Sequence, residues 1–322
     1  MSRTLPNSPR RLRRGVEFGG EEGDTPMSPT REHFQTKASS NPSFGPNHHP
    51  FAIDVEFSEN LTETQRAAFR TAVERWLRVV VAGGPPMTVA GQTIDGLRIV
   101  AKCEKLDREG GLSANTDLDL AALREDSAGP TAGLPAKATI TLDTVDMKLL
   151  DDHEAAAGSS IEQAGIRRFR VDLVAHEIGH ALGLSQVVWE RKRLLDRTSD
   201  PDQPAFRGSA AERAFGRPFA ERARPVPLET FGRNEEFIGH WRQAYFHSEL
   251  MTFFLEDRPN LIGPVSVAAL QDLGYMVDPS GAETKEIDLD GPAVPVSAPI
   301  DGVAPPTVLR SHRWLNCRVR SS

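Results

Sequence analysis

One segment, Val174-Ala-His-Glu-Ile-Gly-His-Ala-Leu-Gly183, limits the folds open to this chain more than any other. It holds H-E-x-x-H followed by x-x-G, and Val171, Val174, Ile178, Ala181 and Leu182 recur around it at helical spacing. The spacing predicts a helix over about 163–182 with those apolar residues as its buried side. On such a helix His176 and His180 stand one turn apart on one face, with Cβ atoms about 5–6 Å apart. Two imidazoles at that separation can converge on one Zn²⁺ at about 2.0–2.1 Å each. Glu177 follows about 100° further round the helix. It flanks the metal without joining its ligands, where it can act as general base and then general acid. Gly183 falls where the chain can leave the helix in a left-handed turn.

A helix carrying ligands in its body needs other elements to bury it. Ile53, Val55 and Phe57 alternate with Asp54 and Glu56, the period of a half-buried strand. Residues 97–101 and 138–142 are two further strands, the latter with Thr139 and Thr141 facing away from Ile140 and Leu142. Thr62-Glu-Thr-Gln65 reads as a capping box. Phe69, Ala72, Val73, Trp76, Leu77 and Val80 then form an amphipathic helix, ended by Gly83-Gly-Pro-Pro86. Residues 191–239, dense in Arg, Pro and Gly, read as mostly loop. A last helix over 265–273 buries Val267, Leu270 and Leu273 and stops at Gly274. Residues 1–50, which include His48-His49, and the Pro-rich residues 279–322 show no buried periodicity and read as disordered tails.

Composition excludes several classes. With 38 Lys+Arg against 45 Asp+Glu the net charge is -7, which argues against a general nucleic-acid binder. No apolar run approaches the roughly 20 residues that span a bilayer. Arg10, Arg11, Arg13 and Arg14 are not followed by the apolar stretch of a signal peptide. The default location is therefore cytoplasmic, with a missed upstream start or non-classical export as the other routes. Two cysteines, Cys103 and Cys317, allow one bridge at most and no Cys-rich zinc module. None of these features sets an oligomeric state.

A hydrolytic zinc site takes three protein ligands and keeps one position open. The commonest continuation of this motif puts a third His three residues past the glycine. Gln186 stands there, and an amide oxygen is a poor zinc ligand beside imidazoles. Downstream, Gly239-His-Trp-Arg-Gln-Ala-Tyr-Phe-His-Ser-Glu-Leu-Met-Thr252 offers His240 and His247.

The pairing of HEIGHALG with GHWRQAYFHSELMT resembles the leishmanolysin family of metzincin metallopeptidases, especially its bacterial relatives. SVAALQDLGY is similar to the family's closing helix, and FAIDVEF, the Trp76 helix and ITLDTVD also fit, so the resemblance spans about 51–278. It implies His240 as the third ligand of one catalytic Zn²⁺, Met251 as the Met-turn residue beneath the metal, and Glu249 as a residue orienting that turn. His247, only four residues before Met251, leaves little chain to descend from the metal. The implied fold is α+β. An upper subdomain, 51–184, carries a twisted mixed sheet with two long helices. A lower one, 185–278, carries the Met-turn and the last helix. The parasite enzymes that name the family are disulfide-rich and membrane-anchored. This chain has neither the cysteines nor an anchor signal, and no Cys in its first 50 residues to act as a switch on zinc.

The expected activity is that of a zinc metalloendopeptidase acting on protein or peptide substrates. Zinc polarises the scissile carbonyl, a zinc-bound water attacks, and Glu177 moves the proton. The substrate lies extended along the upper sheet's edge strand. The alternative is a catalytically inactive zinc-binding interaction module that keeps the fold; Glu177, which a structural site does not need, speaks against it. Asp143, Asp146, Asp151 and Asp152 do not match the spaced loop of a calcium motif and fit capping and loop roles better.

Overall fold

Six strands form the main sheet of the computed structural model, which describes residues 29–35, 49–124, 129–199, 203–219, 221–230, 235–256, 258–283 and 319–321. In chain order they are β1 (Thr30–Gln35), β2 (Ala52–Phe57), β3 (Leu97–Glu104), β4 (Ala114–Leu118), β5 (Lys137–Asp143) and β6 (Val319–Ser321). Across the sheet the order is β1-β2-β3-β5-β4-β6. The run β2, β3, β5 is parallel, β1 is antiparallel to β2, β4 is antiparallel to β5, and β6 is parallel to β4. The architecture is α+β with a mixed sheet.

Helix α1 (Glu63–Leu77) starts at the expected capping box. The Gln65 amide donates to Thr62 Oγ1 at 3.3 Å, and the Thr62 amide donates back to Gln65 Oε1 at 3.1 Å. Phe69, Ala72, Val73 and Trp76 are buried, and a Phe side chain so placed contributes about 1.5–3 kcal/mol. Helix α2 (Thr144–Ala156) precedes α3 (Ser160–Ala181), which packs against α1, α2, β4 and β5. The helix α3 begins earlier than apolar spacing suggests, because Ser159 caps it and its first turns face solvent. Its last turns are enclosed on every side: each residue from Asp172 to Ala181 is buried.

The stretch 191–239 is more structured than its composition suggests. Leu195–Asp196, Ala205–Phe206 and Val226–Pro227 form a small antiparallel sheet. They follow α4 (Gln186–Arg191), and α5 (Ser209–Gly216) packs on α6 (Pro264–Leu273). Such short strands carry no readable period. They are held by distant partners, the Trp189 and Trp241 rings stacked at 5.2 Å with Phe206 edge-on to both. Asp272 on α6 accepts the Ala210 and Ala211 amides, each at 2.9 Å, at the start of α5. Helix α6 stops where Gly274 takes φ +108°.

The reading of both flanks as tails is corrected at four places. Thr30–Gln35 pairs with β2, His49–Pro50 pairs with Val80–Gly83, Glu283 ion-pairs with Arg75, and Val319–Ser321 pairs with β4. Strand pairing is made by backbone groups, so it needs no apolar alternation in the joining strand. Apart from 29 and 279–282, the other flank residues, His48 and Cys317 among them, lie outside the described residues. Among the described residues no helix is long and apolar enough to cross a membrane.

Candidate metal centre

The enclosed end of α3 supplies His176 and His180, and the chain following the helical turn Glu235–Gly239 supplies His240. All three are buried, and their ligand atoms lie within 4.8 Å of one another. The Nε2 of His180 is 3.0 Å from that of His176 and 3.2 Å from that of His240.

Each ring is turned by a backbone carbonyl from a different segment. His176 Nδ1 faces Leu250 O at 2.6 Å, His180 Nδ1 faces Leu184 O at 2.6 Å, and His240 Nδ1 faces Phe237 O at 3.1 Å. A carbonyl only accepts, so each Nδ1 holds the proton and each Nε2 turns a lone pair inward. Burial pushes the His176 imidazole down to about 4 against the pull of the Leu250 carbonyl. Burial, with the neighbouring imidazoles adding to it, takes His180 well below its ordinary value and His240 down to about 3. Three neutral imidazoles converging inside the protein fit a borderline-soft divalent cation, which relieves the repulsion between their lone pairs.

The turn after α3 serves this geometry. Gly183 takes φ +104°, and its amide donates to His180 O. The chain then doubles back, so the Leu184 amide bonds Gly179 O while the Leu184 carbonyl meets His180 Nδ1. Gly239, before His240, is not forced to be glycine by space or backbone conformation. A Cβ there would come no nearer than 3.5 Å to Gln186 N, and its φ is not in the left-handed region.

Gln186 and His247 stand apart from the cluster. Gln186 opens α4 and donates its amide to Glu190. His247 takes φ +48° after the helical turn Gln243–Phe246, and its carbonyl accepts from Gln243 and Thr252. Met251 lies against Gly179 of α3. Its amide donates to Glu249 Oε2 at 2.6 Å, and its carbonyl accepts from the Trp241 amide at 3.0 Å. Glu249 also accepts from the Gly263 amide and Ser266 Oγ, and Trp241 Nε1 donates to the same hydroxyl. The residue after His240 is thus tied to the turn below.

Glu177 is fully buried beside the histidines, and Thr116 Oγ1 donates to its Oε2 at 2.5 Å. Sequence reasoning missed Thr116, because the alternation in Ala114-Asn-Thr-Asp-Leu118 is only five residues long and has a hydroxyl residue at its centre. The four aspartates are engaged otherwise. Asp143 caps α2 and accepts the Leu106 and Asp107 amides, Asp146 accepts from Gly110 and Ser113, and Asp151 and Asp152 pair with Arg170 and Lys148.

Residues 131–286 match the family model described as leishmanolysin, Peptidase M8. No curated protein matches the chain. The matched stretch holds His176, Glu177, His180, His240, Glu249 and Met251. The part of this chain that carries the three converging histidines is therefore similar to the leishmanolysin family of metallopeptidases.

Proposed function

We propose that the chain is a zinc-dependent endopeptidase with a metzincin-like layout, 51–184 above the site and 185–278 below it. The observation that carries this reading is the buried convergence of His176, His180 and His240 with Glu177 beside them. Those histidines would hold one Zn²⁺, which when bound supplies Lewis acidity to polarise a carbonyl and acidify water.

The protein's own groups do the rest. Glu177 takes the proton from the attacking water and delivers it to the departing amine. The Thr116 hydroxyl holds one carboxylate oxygen of Glu177 and so fixes the orientation from which the proton moves. Burial of the centre keeps bulk water from competing. Met251 supports the floor of the site, with Glu249 fixing its backbone. The substrate lies extended against β4, whose backbone supplies the hydrogen bonds of strand addition.

The test is zinc content together with cleavage of an unfolded protein, with and without chelator, for the chain and for Glu177→Gln. One zinc per chain and chelator-sensitive cleavage are expected, with Glu177→Gln keeping the zinc and losing cleavage. Zinc without cleavage in the unaltered chain would replace this reading with that of an inactive zinc-binding interaction module.

A further inference from the structure

The outer edge of β4 is where a substrate would have to pair, and it is taken. Val319–Ser321 lies along it in parallel, with Val319 opposite Thr116, Arg320 opposite Asp117 and Ser321 opposite Leu118. Thr116 is the residue whose hydroxyl holds Glu177, so the added strand starts level with that carboxylate. Thirty-five residues, 284–318, separate Glu283 from this strand. Because the occupant belongs to the same chain, the pairing is intramolecular, which raises its effective concentration at the edge. Three paired residues supply only a few backbone hydrogen bonds, each worth about 1 kcal/mol net, so the strand is displaceable.

We propose that the outer edge of Ala114–Leu118 is a strand-docking surface whose resident occupant is the chain's own segment Val319–Ser321. Under the peptidase reading, on which this consequence rests, a substrate must displace that segment before it reaches Glu177. The segment then raises the apparent KM and leaves kcat alone, since the occupied and free forms share the same catalytic groups.

The experiment uses three proteins: the full chain, the chain ending at Arg318, and the full chain carrying Arg320→Pro, which removes a backbone donor and breaks pairing. The probe is a fluorescein-labelled peptide of residues 311–322 with Cys317→Ser, followed by fluorescence anisotropy. It should bind the shortened chain and Arg320→Pro roughly ten-fold more tightly than the full chain, whose edge is filled from within. The same peptide carrying Arg320→Pro should not bind. Equal binding to all three proteins, or to none, would overturn the proposal; if the shortened chain fails to fold, Arg320→Pro decides. This readout needs no catalysis, so a protein without peptidase activity would sink the function above and leave the docking surface to be judged by anisotropy. Where cleavage is measurable, KM should fall about three-fold or more on removing the segment, with kcat unchanged. A fall in kcat with no change in KM would count against occupancy of the substrate edge.

Discussion

The Met251 side chain fills the space that a Cβ on Gly179 would need. Its Cε lies 2.9 Å from that position with Sδ closer still, and a ring carbon of Trp76 is 3.0 Å away. One of the unspecified positions in H-E-x-x-H is thus set by the turn beneath the helix. Gly179→Ala must push Met251 or Trp76 aside, at a cost of about 1–3 kcal/mol, against roughly 1 kcal/mol of helix propensity regained. Because Leu250 next to Met251 orients His176, a displaced Met251 reaches the histidine cluster. Zinc affinity is expected to fall about 10–100-fold, the range seen when supporting groups are lost. A zinc titration giving an unaltered affinity in folded Gly179→Ala would contradict the coupling.

The third ligand separates three residues. His240→Ala should lose most of the zinc affinity and the activity, because two imidazoles remain where three converged. Gln186→Ala and His247→Ala should keep the metal, since neither ring nor amide enters the cluster. Competition against a chromogenic chelator measures all three. Full zinc retention in His240→Ala would exclude it as a ligand.

Thr116→Val keeps the shape of the side chain and removes the hydroxyl bonded to Glu177. The expected result is a kcat lowered roughly ten-fold with zinc content and KM near those of the parent, and recovery in Thr116→Ser. A Thr116→Ser variant no better than Thr116→Val would reduce Thr116 to a packing residue.

Acid should loosen one tie between α1 and the chain near Glu283. Burial raises the Glu283 carboxyl, but hydrogen bonding and attraction to Arg75 outweigh it and hold the group below the ordinary glutamate range. A carboxylate lowered on folding contributes stability above its unfolded pKa, about 4.3, and loses it as pH falls through the folded value. Glu283→Gln should therefore lower stability by about 1.5–3 kcal/mol at pH 7, with the difference closing below about pH 4. Asp172, on the same guanidinium, is shifted the other way, burial outweighing Arg75, so its linkage has the opposite sign. Thermal unfolding of both proteins across pH 3–7 checks this; a gap that widens in acid would reverse the assignment.

What could be read from the sequence is what local spacing controls. Thr62 and Gln65 cap α1 within one turn, Gly274 ends α6 by its own backbone freedom, and His176, Glu177 and His180 share one helix. The residue 60 positions beyond His180 was reached only through a resemblance, since no local rule links His240 to α3. Helix α2 was missed because only Asp146, Met147 and Leu150 of its thirteen residues are buried, too few to show a stripe. β1, β4 and β6 were missed for a different reason. Their positions are fixed by the open edges of neighbouring strands, and Asp54, read as a solvent-facing residue of β2, is buried because Arg31 and His33 of β1 cover it.

Three carbonyls orient the three histidines, and they belong to Leu184, Phe237 and Leu250, segments far apart in the chain. α3 with its closing turn can hold the His180 ring through Leu184, four residues on, but the His176 ring depends on Leu250, 74 residues away. Under the zinc reading, tight loading needs the loop before His240 and the Met251 turn both docked. The completeness of the fold is therefore read out in the ring orientations: under the peptidase reading, a half-folded molecule has no cutting edge to turn on its neighbours.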